Sequence, residues 1–275
     1  MATIADTPYA GRAPRPDLLS GTPRAHAIDR WIYVFMAAWF IAIVLIGFVP
    51  DSFEKIAAVR AGTRPPFPLI LHVHAVLMGS FLLFLLAQTT LVATGRTASH
   101  RRLGRVAFVL VPALILAGIV LAATNYHAAW NAAHFGPADV RAAMTARLPV
   151  IDNILLLQLQ SGLLFPLFIW LGLRSRARDA GFHKRMMILA TAPPLGAAIN
   201  RMEWLPTMMP ASPLALNLWI LLAVAPLFAW DVFRNRAVHR AWLIWIPVYV
   251  AAAAAVSLLW NTPAWHAAAR GIMGV

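Results

Sequence analysis

The chain has 275 residues, of which 61% are hydrophobic and only 12% charged. A charged fraction about half that of ordinary globular domains excludes a soluble protein with a single buried core. Its formal charge of +13 would suit a nucleic-acid binder, but the basic residues sit in short segments between apolar runs. Anionic lipid and the positive-inside rule explain them better than a phosphate backbone. With no cysteine in the chain, disulfides, thiolate nucleophiles and Cys-ligated metals are also excluded.

In chain order, residues 1–30 contain Pro and Arg without an apolar core and read as a disordered cytoplasmic tail. Residues 31–275 read as one membrane domain. Seven apolar runs follow: Trp31–Val49, Pro68–Thr94, Val106–Thr124, Ile151–Leu173, Met186–Trp204, Ala215–Phe233 and Ala241–Trp260. Each is close to the roughly 20 residues that cross a bilayer. The expected fold is an all-α polytopic membrane helix bundle of about seven spans. Most Lys and Arg fall in the tail and in segments 95–105, 174–185 and 234–240. That places the N-terminus in the cytoplasm and the C-terminus outside a bacterial inner membrane. Trp31, Trp204, Trp242, Trp260 and Trp265 lie near span ends, as interfacial anchors do.

Spans two to five carry a weak internal repeat: His100-Arg101-Arg102-Leu103 and His183-Lys184-Arg185-Met186 each precede a helix with a later proline. A parallel repeat implies a four-helix core within residues 68–205, related by an axis along the membrane normal. Pro112, Pro166, Pro193-Pro194 and Pro226 are expected to interrupt spans three to six.

Two polar layers result. Toward the outside, His72 and His74 lie about 6 and 9 Å into span two. Asn125, Tyr126, His127 and His134 follow span three; Asp152 and Asn153 open span four; Arg201 and Glu203 close span five. Imidazole and carboxylate at one depth fit a metal or haem donor set, His72, His74, Asp152 and Glu203 for a metal, with His127 and Arg201 added for haem, or else a hydrogen-bonded polar layer with Arg201 paired to Asp152 or Glu203. His72 and His74 diverge by about 200° on a helix, so only one can face the bundle. Gly79, Gly118, Gly162 and Gly196 allow close helix packing or make room for a flat macrocycle. Toward the cytoplasm, His100, Arg101, Arg102, His183, Lys184 and Arg185 ligate a second cofactor, hold a lipid phosphate or propionate, or serve as orientation signals, the last being the simpler account.

The series His72-x-His74, AQTTLVATGR, HRRLGR, Asp152, HKRMMILAT and Arg201 resembles a group of uncharacterised bacterial polytopic membrane proteins over roughly residues 68–205. More loosely, a four-helix core with His near helix ends is similar to b-type cytochromes and haem-handling oxidase-assembly proteins. The resemblance implies haem b or a transition metal, a redox or cofactor-handling role, and quinone or respiratory-chain proteins as partners beside membrane lipids. Only His72 or His74 with His127 approximates a bis-His pair. The alternatives are a transporter or lipid-binding protein using the same His/Asp/Arg layer, or an accessory subunit of a larger membrane complex.

Overall fold

A computed structural model describes residues 17–20 and 26–275, so most of the expected tail lies outside the described residues. The chain forms α1 (Ala27–Arg60), α2 (Leu69–Ala93), α3 (Thr97–Leu103), α4 (Ala107–Phe135), α5 (Ala138–Ser175), α6 (Ala180–Thr191), α7 (Gly196–Ile199), α8 (Leu214–Asn235), α9 (Arg240–Leu259) and α10 (Pro263–Met273). A 3₁₀ turn joins α3 to α4, so Thr97–Phe135 runs as one rod of 39 residues. With α1, α2, α5, α8 and α9, it makes six helices long and apolar enough to cross a membrane. The fold is a polytopic membrane helix bundle.

The expected fifth span is the exception. It is divided into α6, a 3₁₀ turn over Pro193–Leu195, and α7. Two successive prolines remove two backbone donors and crowd the preceding turn, which breaks a helix. The Ser161 hydroxyl donates to the Pro193 carbonyl at 3.2 Å, supplying a partner that hydrocarbon could not. Pro112, Pro166 and Pro226, by contrast, lie inside continuous helices, because one lone proline forfeits a single ladder bond that the rest of a long helix absorbs.

The broken element occupies the middle of the bundle. It packs against α1, α5, α8 and α9, while α2 and α4 pack on each other and bridge α1 to α5. Met186, Ile188, Leu189 and Ala190 are fully buried, as are Met36 and Phe40 of α1, Leu227 of α8 and Trp245 of α9. The densest core therefore includes spans one, six and seven, rather than lying within spans two to five alone. The expectation failed because α2 is apolar around its whole circumference and leaves much of that surface facing outward. A Cβ at Gly47 would overlap the Ala198 carbonyl oxygen, so glycine is what lets α1 approach α7. Gly196 likewise sits against Ile220 of α8, and Gly118 against His74, whereas Gly79 and Gly162 meet nothing within 4 Å.

Three tryptophans expected at the interface are buried instead. Trp242 donates to Asp231 at 2.7 Å, Trp260 to the Pro210 carbonyl at 3.1 Å and Trp265 to the Asp152 carbonyl at 2.9 Å. Trp31 and Trp204 are exposed, as anchors should be.

Candidate functional site

Two ends of the bundle can be distinguished. The basic end carries the turns near residues 95, 177 and 237; the opposite end carries the 61–68 connection, the loop after α7, and α10.

At the opposite end the expected donor set does not converge. His72 is exposed, edge-on to Phe67. His74 is the one that faces a neighbour: a Cβ on Gly118 of α4 would lie 3.6 Å from its Cε1, and its buried Nδ1 has no hydrogen-bond partner among the described residues. His127 packs beside Tyr126, and His134 is exposed, stacked on Trp130 with ring centres 4.0 Å apart. Arg201 pairs with Asp51 at 3.2 Å and lies over the Phe48 ring, while Glu203 is exposed. The sequence hides the Arg201 pairing because α1 runs through Pro50 to Arg60, carrying Asp51 on a helix expected to stop at Val49.

Asp152 is fully buried and already occupied. Tyr126 donates to its Oδ1 at 2.7 Å, His266 Nδ1 approaches its Oδ2 at 2.9 Å, and Arg270 stands 4.0 Å away. His266, Arg270 and Trp265 all come from α10, which docks on α5 and α4. Asn153 extends the seam by donating to Asn261 at 2.6 Å. This layer ties the C-terminal helix to the bundle; it does not assemble His72, His74, His127, Asp152, Arg201 and Glu203 into one site. Among the described residues no group of three or more His, Asp or Glu is placed to hold a metal ion.

At the basic end the residues expected to hold lipid or phosphate divide into three kinds. Arg185 is fully buried and spends all five of its N–H donors internally. Two go to Asp231 at 2.6 and 2.7 Å, two to Asp17 at 2.8 and 3.0 Å, and one to the Gly181 carbonyl at 3.0 Å. Lys184 donates to the Leu19 carbonyl and lies over the Tyr33 ring. Arg185 has no donor left for a phosphate, and Lys184 is turned inward by its two contacts. Leu19, within the expected tail, is itself fully buried here, held by these bonds. Arg101 and Arg102 remain exposed.

The third kind is the histidines. His100 and His183 stand at equivalent positions of the repeat, and the fold brings them face to edge with ring centres 6.5 Å apart. Each is oriented from the preceding helix. His183 Nδ1 donates to the Gly172 carbonyl at 2.9 Å, which leaves its Nε2 as a lone pair. The Gln88 side-chain amide engages His100 Nδ1, and its oxygen accepts from Gly104 N at 2.8 Å. Arg176 lies nearby over the Phe108 ring at 5.5 Å. The two rings come one from each unit of the expected repeat. The paired His-basic-basic motif carried that signal, but its basic neighbours look like topology determinants until Arg185 and Lys184 are seen to turn inward.

The fold defines a polytopic membrane protein in which two histidine rings meet at the basic end. No protein-family model, curated protein or solved structure matches the chain.

Proposed function

We propose that the chain is a cofactor-binding membrane protein of the bacterial inner membrane, with its basic end toward the cytoplasm and a redox or cofactor-handling role centred on His100 and His183. The observation that carries this is their spacing. With metal–nitrogen bonds of about 2.0–2.1 Å, two imidazoles on one ion place their ring centres roughly 6 Å apart, close to the 6.5 Å found here. At His183 the contact to Gly172 fixes Nδ1 and frees Nε2, which is how ligating histidines are oriented; at His100 the Gln88 amide would have to turn for Nε2 to ligate. Because the pair supplies two protein ligands and no third stands with them among the described residues, haem iron, which brings four nitrogens of its own, suits it better than a bare ion. Bound haem b would supply one-electron chemistry; His100 and His183 would hold it, and Arg101, Arg102 and Arg176 would offer cations to its carboxylates.

Haem quantification and metal analysis of the detergent-purified full chain test the reading. Stoichiometric haem or metal is expected. A folded preparation that stays colourless and metal-free after haem supplementation would overturn it.

A second reading, transport of a polar solute, is favoured by one observation: the central helix is broken at Pro193-Pro194 inside a ring of six spans. Discontinuous helices at mid-bundle are where transporters place their sites. Gln160, Asn217 and Tyr249 form a buried polar group beside that break, with Tyr249 donating to Asn217 at 2.8 Å and Gln160 donating at 3.2 Å. Solute-dependent thermal stabilisation of cofactor-free protein, abolished in Gln160→Leu, would establish it; stoichiometric haem with no such stabilisation would rule against it.

A further inference from the structure

The basic end also holds a pocket of about 480 Å³ that the paired histidines do not use. Its walls come from the last turns of α5, the α5–α6 turn, the start of α6 and the first turns of α9, with Arg174, Arg178 and Arg240 around Asp179, Phe182 and Ile244.

The charges in it are not balanced. Asp179 is committed twice, accepting from Phe182 N at 2.7 Å as the cap of α6 and pairing with Arg240 at 2.9 Å. Arg240 is fixed further by lying over the Phe182 ring at 4.7 Å. Arg174 lies over the Trp170 ring, and neither Arg174 nor Arg178 has a carboxylate within ion-pair distance among the described residues. Arg174 and Arg178 therefore line a cavity whose carboxylate, Asp179, is paired with Arg240 and not with them. Forked donors match phosphate oxygens in pairs.

Below this rim the surface turns apolar. Leu171 and Ile244 line the pocket, and Trp170, which carries the Arg174 guanidinium over its ring, is exposed at 54% of its surface. Charge above and exposed aromatic and aliphatic groups below is the profile of a headgroup level meeting hydrocarbon.

We infer that this pocket binds a phosphate-bearing anion at the membrane surface, with an anionic phospholipid headgroup as the occupant its apolar lower edge favours. The inference is independent of the haem reading, since none of these side chains orients His100 or His183.

Native mass spectrometry of the full chain in detergent, titrated separately with phosphatidylglycerol, phosphatidylcholine and inorganic phosphate, tests it. Phosphatidylglycerol is expected to bind, and Arg174→Gln/Arg178→Gln to weaken it about thirtyfold from the loss of two interfacial charges. Arg96→Gln/Arg105→Gln, which removes the same charge from another turn at this end, is expected to bind as wild type. Both pairs are exposed, and matched thermal unfolding confirms that the variants fold. Inorganic phosphate binding with the same dependence on Arg174 and Arg178, in place of the lipid, would support the site and assign it to a soluble phosphate. Phosphatidylcholine binding as tightly as phosphatidylglycerol, or equal losses in the two double variants, would overturn it.

Discussion

The Arg185 guanidinium and the Asp231 carboxylate meet in a two-pronged ion pair at 2.6 and 2.7 Å, with neither side chain exposed to any degree. Asp231 is saturated as well, accepting further bonds from Trp242 and Asn235 at 2.7 Å each. The pair joins α6 to α8 and α9, and through Asp17 it holds the segment before α1. Breaking such a pair strands a charge in a low-dielectric interior at a penalty of about 3–5 kcal/mol. Asp231→Ala is therefore expected to lower thermal stability sharply, and Asp17→Ala less, because Asp17 is partly exposed and Asp231 would still compensate Arg185. Equal effects of the two substitutions in a detergent unfolding assay would refute this ranking.

The bond between Asp152 and α10 makes a second prediction. Ala269 is fully buried in the docked helix, and the chain has no native cysteine, so Ala269→Cys reports docking alone. Asp152→Asn cannot accept from both Tyr126 and His266, and losing a bond to a charged group raises the labelling rate by about tenfold or more. Maleimide labelling that is unchanged between the two backgrounds would show that α10 is held by its tryptophans and apolar contacts instead.

His239 gives the pH dependence. It caps α9, its Nδ1 accepting from Ala241 N at 3.1 Å, and burial, then the charge of Arg185, hold its imidazole below the usual histidine range against the opposing pull of Asp17, Asp231 and Asp179. A lowered value means that the unfolded chain binds the proton more readily. The contribution to stability is complete above the ordinary value of about 6.5 and declines as pH falls through it toward the lowered one. His239→Asn keeps a cap acceptor and cannot titrate, so it is expected to flatten this part of the stability profile. An unaltered slope in the variant would place the pH dependence elsewhere.

How far the sequence carried is clearest from particular residues. Long apolar runs fix α2, α5, α8 and α9 to within a few residues, apart from the α5 start, because hydrocarbon leaves a segment little choice but helix. The central helix was harder. Its Pro193-Pro194 pair announces a break, but burial among α1, α5, α8 and α9 depends on which faces meet, and uniformly apolar helices do not display that. Asp152 and Arg201 stand out in the sequence as polar groups within or beside apolar runs, but nothing in the sequence points to their partners. Their true partners, His266 and Asp51, lie in segments that read as a plain C-terminus and a loop. His100 and His183 were visible as a repeated motif, and only the folded chain sets their rings together.

Gln88 separates metal ligation from a merely structural pairing of those rings. Its amide now donates to His100 Nδ1, which puts the proton on Nε2, so ligation through Nε2 requires the amide to turn. Gln88→Glu would accept from Nδ1–H and favour the ligating tautomer, and outer-shell partners of this kind change metal affinity by about 10–100-fold. Tighter retention of haem or metal in Gln88→Glu is the expected result, read as the dissociation rate in a competition assay. Unchanged or faster loss would count against ligation by His100.

The most direct measurement is the dithionite-reduced minus oxidised visible spectrum of the haem-supplemented full chain, recorded for wild type, His100→Ala, His183→Ala, His72→Ala and His74→Ala. The predicted result is a haem band in wild type, His72→Ala and His74→Ala that is lost in both His100→Ala and His183→Ala. A band that survives both of those substitutions and disappears with His72 or His74, or no band in wild type at all, would contradict the paired-histidine centre.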